Sequence, residues 1–279
     1  MNFIYFFFLS IITLIYNLSF NQINTGIEIS NGEHKLQTQK IMDTIFVSKY
    51  VNDSIKIDIS LPAGYNNDPG KYYHVLYMTD GYWRRTEHDT IHKMSDDKEI
   101  PDVVVVGIGY PDDYDFDKIR IRDLIINADK LFACIKNEVM PYVESKYRVN
   151  TKNRTLWGSS YGGYFLIYAL TEHFKQGELF KNYICASPAL NPPYKHVDLI
   201  KNEKEMRDDH KELPVNLFLA VGGNEEKRFL DSYDGIVRTF ENHKYKGFYF
   251  EHEIIPGKNH HTVWEPALLK GLKEFLNKN

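Results

Sequence analysis

The sequence predicts an α/β protein with a mostly parallel central sheet and helices on both of its faces. Short, continuous apolar runs such as Val103-Val104-Val105-Val106-Gly107-Ile108 are bounded by turn signals, as strands buried on both faces are. Amphipathic helical stripes alternate with these runs along the chain. No Pro/Ser-rich linker and no internal repeat divides the sequence, so residues 23–279 read as a single domain.

Taken in order, residues 3–16 (FIYFFFLSIITLIY) are uncharged and apolar, and the first charged side chain is Glu28. The run has the length of a signal-peptide core and is short for a membrane span. Residues 1–22 therefore read as an export signal, with an uncleaved N-terminal anchor as the rival, because no Lys or Arg precedes the run and no A-x-A site follows it. The expected location is periplasmic or extracellular.

Thr44-Ile45-Phe46-Val47 and the alternation Ile55, Ile57, Ile59, Leu61 read as strands, the second half-buried at a sheet edge. Tyr73–Met78, Val103–Ile108, Asn182–Ala186 and Val215–Val221 suit buried parallel strands, and Gly247–Ile255 is strand-like with polar interruptions. Leu131, Ile135, Val139 and Val143 share one helix face; Phe229, Leu230, Tyr233, Ile236, Val237 and Phe240 form another stripe. Leu268, Leu269, Leu272, Phe275 and Leu276 make a last helix, with Pro266 in its first turn. The charged stretch 191–213 reads either as a cap or lid over a site or as a solvated surface excursion.

Composition removes some functions. The net charge is −4 with both signs mixed, so there is no basic stripe for a phosphate backbone and no nucleic-acid partner is expected. The two cysteines, Cys134 and Cys185, read as small buried hydrophobes, with one bridge between them open in an exported chain. His88 and His92 could share a helix face, but two histidines without a third ligand make a poor metal site. No metal or other cofactor is expected.

The chemistry concentrates at Gly158-Ser159-Ser160-Tyr161-Gly162, between a strand-like run and an apolar helix-like run. This is G-x-S-x-G, in which the central serine takes a strained turn and its neighbours two away must be small. Ser160 is therefore the candidate nucleophile, Ser159 lacks the flanking glycines, and the N–H of Tyr161 is a candidate oxyanion donor. A serine hydroxyl needs a base oriented by an acid. The acid is expected after the Val215–Val221 strand, where Glu225 is preferred to Glu226. The base is expected after the last strand, at His260 or its neighbour His261.

With these residues in view, the chain resembles the α/β-hydrolase esterases that include enterochelin (ferric siderophore) esterases, S-formylglutathione hydrolases and feruloyl esterases. The segments that carry the likeness are ISLPAGY, VLYMTDGYW, VVVVGIGY, NEVMPYVESKYRV, TLWGSSYGGYF, ICASPAL and IIPGKNHHTVWEPALLKGLKEFL, from about residue 45 to the C-terminus. The resemblance implies the α/β-hydrolase fold and is nearest the siderophore-esterase branch. It implies His260 as base, Glu225 as acid and the Tyr82 N–H, in Asp80-Gly81-Tyr82-Trp83, as the second oxyanion donor beside Tyr161. The implied reaction is carboxylic-ester hydrolysis through an acyl-enzyme on a small-molecule ester, with no membrane partner beyond an N-terminal anchor. Export argues against a cytosolic thioester, which leaves trilactone siderophores and acylated sugars, and the negative net charge favours a neutral ester. An acyltransferase with the same triad and a non-catalytic binding protein on this scaffold are the alternatives.

Overall fold

A computed structural model describes residues 41–176, 179–190 and 212–277. The leader and nearly all of the 191–213 stretch lie outside the described residues.

Eight strands form one sheet in the order β1-β2-β4-β3-β5-β6-β7-β8. They are β1 (Met42–Ser48), β2 (Asp53–Ser60), β3 (Tyr73–Met78), β4 (Val103–Gly109), β5 (Val149–Ser159), β6 (Asn182–Ala186), β7 (Asn216–Gly222) and β8 (Tyr249–Ile255). β2 runs antiparallel to both β1 and β4, and every pairing from β4 to β8 is parallel. The described residues belong to one compact unit. No helix among them is long and apolar enough to cross a membrane.

The helices divide between the two faces. Here α1 is Arg85–Asp96, α2 Phe116–Arg120, α3 Ala128–Cys134, α4 Met140–Lys146, α5 Tyr161–Gln176, α6 Lys227–Asn242 and α7 Trp264–Leu276. Val104 and Val106 of β4 join the core formed with α3 to α6, while Val103 and Val105 join the core formed with α1 and α7. Successive strand side chains point to opposite faces, so a continuous valine run is what a sheet covered on both sides requires.

Three elements differ from the sequence expectation. β2 is not the edge strand: β1 covers its free side, and from Ile55 to Ser60 every residue is buried. Its polar alternates are matched instead of solvated, with Arg85 of α1 donating to Asp58 at 3.0 and 3.2 Å and Lys56 to Asp112 at 2.9 Å. β5 begins five residues before the strand-like run Arg154-Thr155-Leu156-Trp157, since Asn150, Thr151 and Lys152 extend into a partly exposed strand end that carries no apolar signal. The helix through Leu131, Ile135, Val139 and Val143 contains a π-helical turn over Ile135–Val139. An ideal α-helix drifts by about 40° with each four-residue step, and the wider turn keeps all four side chains buried on one face.

Cys134 and Cys185 are both free and buried, with no bridge between them. Burial pushes the Cys134 thiol up to about 12 and Cys185 higher still, so both behave as small apolar side chains.

Candidate active site

Ser160 stands between the end of β5 and the first turn of α5, in the left-handed region at φ 58°. A non-glycine residue there costs on the order of 1–3 kcal/mol and persists only where its surroundings hold it. Three backbone bonds do so. Ser160 N–H donates to Ala186 at 3.1 Å, and its carbonyl accepts from Tyr164 and Ala189 N–H, each at 3.0 Å. The flanking glycines are needed for close approach. A Cβ on Gly158 would lie 2.3 Å from the Gly162 carbonyl oxygen, and one on Gly162 would lie 2.2 Å from Thr79 Oγ1.

The loop after β8 brings His260 over this turn. Its Nε2 lies 3.0 Å from Ser160 Oγ, and its Nδ1 lies 3.0 Å from Glu225 Oε2. The imidazole stacks on Phe229 of α6, with ring centroids 4.0 Å apart and planes at 22°. Glu225 follows β7, and its side chain has no solvent exposure. The other carboxylate oxygen accepts from Ser187 Oγ and, at 3.1 Å, from the Gly222 N–H. Burial pushes the Glu225 carboxyl up, but the donors on His260, Ser187 and Gly222 outweigh it and hold it below the usual carboxylate range. The carboxylate is thus ionised and fixed against the ring nitrogen remote from Ser160.

The neighbouring candidates lie elsewhere. His261 is exposed, and its backbone N–H binds Asn259 Oδ1 at 3.0 Å. Glu226 is exposed at the start of α6 and pairs with Arg228 at 3.0 Å. Ser159 Oγ accepts from Arg84 Nη2 at 2.6 Å, and Arg84 also pairs with Glu87 at 3.0 Å. His88 and His92 do share a face of α1, where both bind the buried Ser60 hydroxyl, at 2.6 and 2.7 Å. Among the described residues no group of three His, Cys, Asp or Glu could hold a metal ion.

The Asp80-Gly81-Tyr82-Trp83 segment follows β3 and makes a single tight turn at Gly81–Trp83. Gly81 lies against β4, where a Cβ would sit 2.5 Å from the carbonyl carbon of Gly107. The side chains of Tyr82 and Trp83 are exposed. Both face Phe116 of α2, at centroid distances of 5.3 and 3.8 Å. Beneath them Arg120 donates twice to Asp80, at 2.7 and 2.9 Å.

Sequence reasoning assigned no role to Ser187, Asp80 or Arg120. Ser187 lies within the ICASPAL segment and adopts φ 45°, so its left-handed backbone aims the hydroxyl at Glu225. Arg120 belongs to Ile119-Arg120-Ile121-Arg122-Asp123-Leu124-Ile125, and charges inside an apolar run are the mark of buried ion pairs.

Comparisons with known proteins agree with this architecture. Residues 48–275 match the family model described as "Putative esterase". The ferri-bacillibactin esterase BesA of Bacillus subtilis is 27% identical over 212 residues, 64% of this chain and 68% of that protein. The BES protein of Bacillus cereus superposes with a TM-score of 0.73 at 22% identity, over 91% of this chain and 99% of that one. A siderophore hydrolase, EstA of Aspergillus nidulans, gives 0.74 at 20% identity with the same coverages. These structural likenesses carry the α/β-hydrolase-type fold. The family match spans most of the chain, so this protein belongs to that esterase family and is a hydrolase acting on esters.

Proposed function

We propose that the protein cleaves its ester through an acyl-enzyme on Ser160, with His260 as general base and then acid, and Glu225 as the carboxylate that orients it. The observation that carries this reading is the unbroken line of contacts from Ser160 Oγ through the two ring nitrogens of His260 to Glu225, each 3.0 Å long. His260 Nε2 takes the hydroxyl proton as Ser160 Oγ attacks the ester carbonyl. The tetrahedral oxyanion is held by the backbone N–H groups of Tyr161 and Tyr82, each such donor being worth roughly 3 kcal/mol of barrier. His260 then delivers the proton to the leaving alkoxide, and the alcohol departs. Water, deprotonated by the same imidazole, attacks the acyl carbonyl and frees the acid and Ser160. Glu225 fixes the tautomer with the proton on Nδ1 and stabilises the imidazolium that forms.

The substrate assigned by this reading is a trilactone siderophore, in preference to the neutral ester that the net charge of −4 alone favours. Supporting it are the activity in the name of the B. subtilis relative and the exposed rings of Tyr82 and Trp83 beside the proposed oxyanion segment, flat faces on which aromatic acyl groups can stack. The apolar stretch 3–16 supports export, with 23–279 as the esterase domain.

Incubation with enterobactin, with and without iron, and with a feruloylated sugar tests the assignment. The trilactone should be opened to linear products by the wild type and not by Ser160→Ala. Faster turnover of the sugar ester would transfer the substrate to acylated carbohydrates, and activity retained in Ser160→Ala would sink the mechanism. Fractionation of expressing cells should find the full chain outside the cytoplasm; cytoplasmic protein would contradict export.

A further inference from the structure

The first turn of α5 and the loop after β3 are far apart in sequence, yet one buried side chain touches both. The Arg120 guanidinium is bidentate to Asp80, at 2.7 and 2.9 Å, and the Asp80 side chain has no exposure. The same guanidinium lies 4.8 Å from the ring centre of Trp83, 5.2 Å from that of Tyr161 and 5.6 Å from that of Phe116. Asp80 is left-handed at φ 60°, a strained conformation for a non-glycine residue that its environment must maintain. Its other neighbour is the start of α5, since a Cβ on Gly162 would lie 3.3 Å from Asp80 Oδ2.

We propose that Asp80 and Arg120 are a positioning pair that sets the oxyanion hole: one guanidinium fixes the Tyr82 segment through Asp80 and Trp83, and the Tyr161 segment through its ring. This rests on the reading above, in which the N–H groups of Tyr82 and Tyr161 are the two donors. Oxyanion donors act only if they already point at the site of developing charge, and a misplacement of about 1 Å can cost on the order of 100-fold in rate. The strain at Asp80 is the means by which the following residues, Gly81 and Tyr82, are turned over β4. Lysine cannot replace Arg120 here, because a point charge lacks both the bidentate fork and the flat face that stacks on three rings.

The test separates positioning from structural support. Arg120→Met alone strands a buried carboxylate, so its effects mix folding and catalysis. Asp80→Asn/Arg120→Met removes both charges together and should melt near the wild type. Hydrolysis of p-nitrophenyl butyrate by this double variant should nevertheless show kcat lowered by ~10- to 100-fold with KM within about threefold. Affinity for an alkylboronic acid, which forms a tetrahedral adduct on a serine hydroxyl, should fall by the same factor as kcat/KM. Arg120→Lys, which keeps a charge beside Asp80, should show the same kinetic pattern with less loss of stability than Arg120→Met alone. Recovery of wild-type kcat in the double variant, a rise in KM at constant kcat, or failure of both variants to fold would each overturn the proposal and leave the pair as a structural brace. Ser160→Ala, assayed beside them, reports on the parent mechanism separately, because residual turnover there would indict the nucleophile and not the pair.

Discussion

Two carboxylates lie fully buried around the site, and they are satisfied in opposite ways. Glu225 accepts from a hydroxyl, a backbone N–H and the His260 imidazole. Asp80 is met by the permanent charge of Arg120. On the proposed mechanism, the difference follows from when each negative charge is needed. In the mechanism proposed above, Glu225 gains a full cationic partner only while His260 holds the serine proton. The Asp80 charge is matched by Arg120 throughout, and in the positioning role proposed above it shapes the backbone.

The comparison is broken most directly by exchanging losses. Glu225→Gln should lower kcat by ~10⁴-fold, with a smaller loss of stability than Asp80→Asn. Asp80→Asn alone should destabilise the fold by about 3–5 kcal/mol, because it strands a buried guanidinium. Urea unfolding and steady-state kinetics on both variants check this, and equal stability losses would erase the distinction.

Acid sharpens it. The Glu225 carboxyl is held below its unfolded value of 4.5, so its stabilisation is present above that pH and disappears as pH falls further. His88 and His92 act at higher pH. Burial pulls them from 6.5 down to about 3 and about 4. The unfolded chain therefore binds more protons below 6.5, and stability should fall with pH by about 1.4 kcal/mol per unit for each histidine. Melting curves between pH 7.5 and 5 should show this slope, and His88→Gln/His92→Gln should flatten it. An unchanged slope would remove the histidines from the acid response.

Smaller effects separate neighbours. Ser187→Ala removes one donor from Glu225 and should cost about tenfold in kcat, with KM unchanged. Ser159→Ala removes only the bond from Arg84, so it should cost about 1 kcal/mol of stability and leave kcat intact. A large kcat loss in Ser159→Ala would reopen the choice of serine.

Much of this was legible because it is written in local patterns. The valine run of β4 and the stripe of α6 each declare their burial in apolar residues, and G-x-S-x-G declares a turn whose glycines must pass a backbone. The adjacent candidates were separable only in three dimensions: loop direction buries Glu225 and exposes Glu226, and it turns His260 inward and His261 outward. Helix α1 carries no apolar stripe because its buried face includes Glu87, His88 and His92, matched by Arg84 and by Ser60 of a distant strand. Arg120 escaped for the same reason. Its partner Asp80 is 40 residues away, and long-range ion pairs leave no spacing to read.

Intact mass after fluorophosphonate treatment reports whether Ser160 is an activated nucleophile. The account predicts one adduct on the wild type and none on Ser160→Ala, with both proteins folded. A folded wild type that gains no adduct, or a Ser160→Ala variant that still gains one, would contradict it.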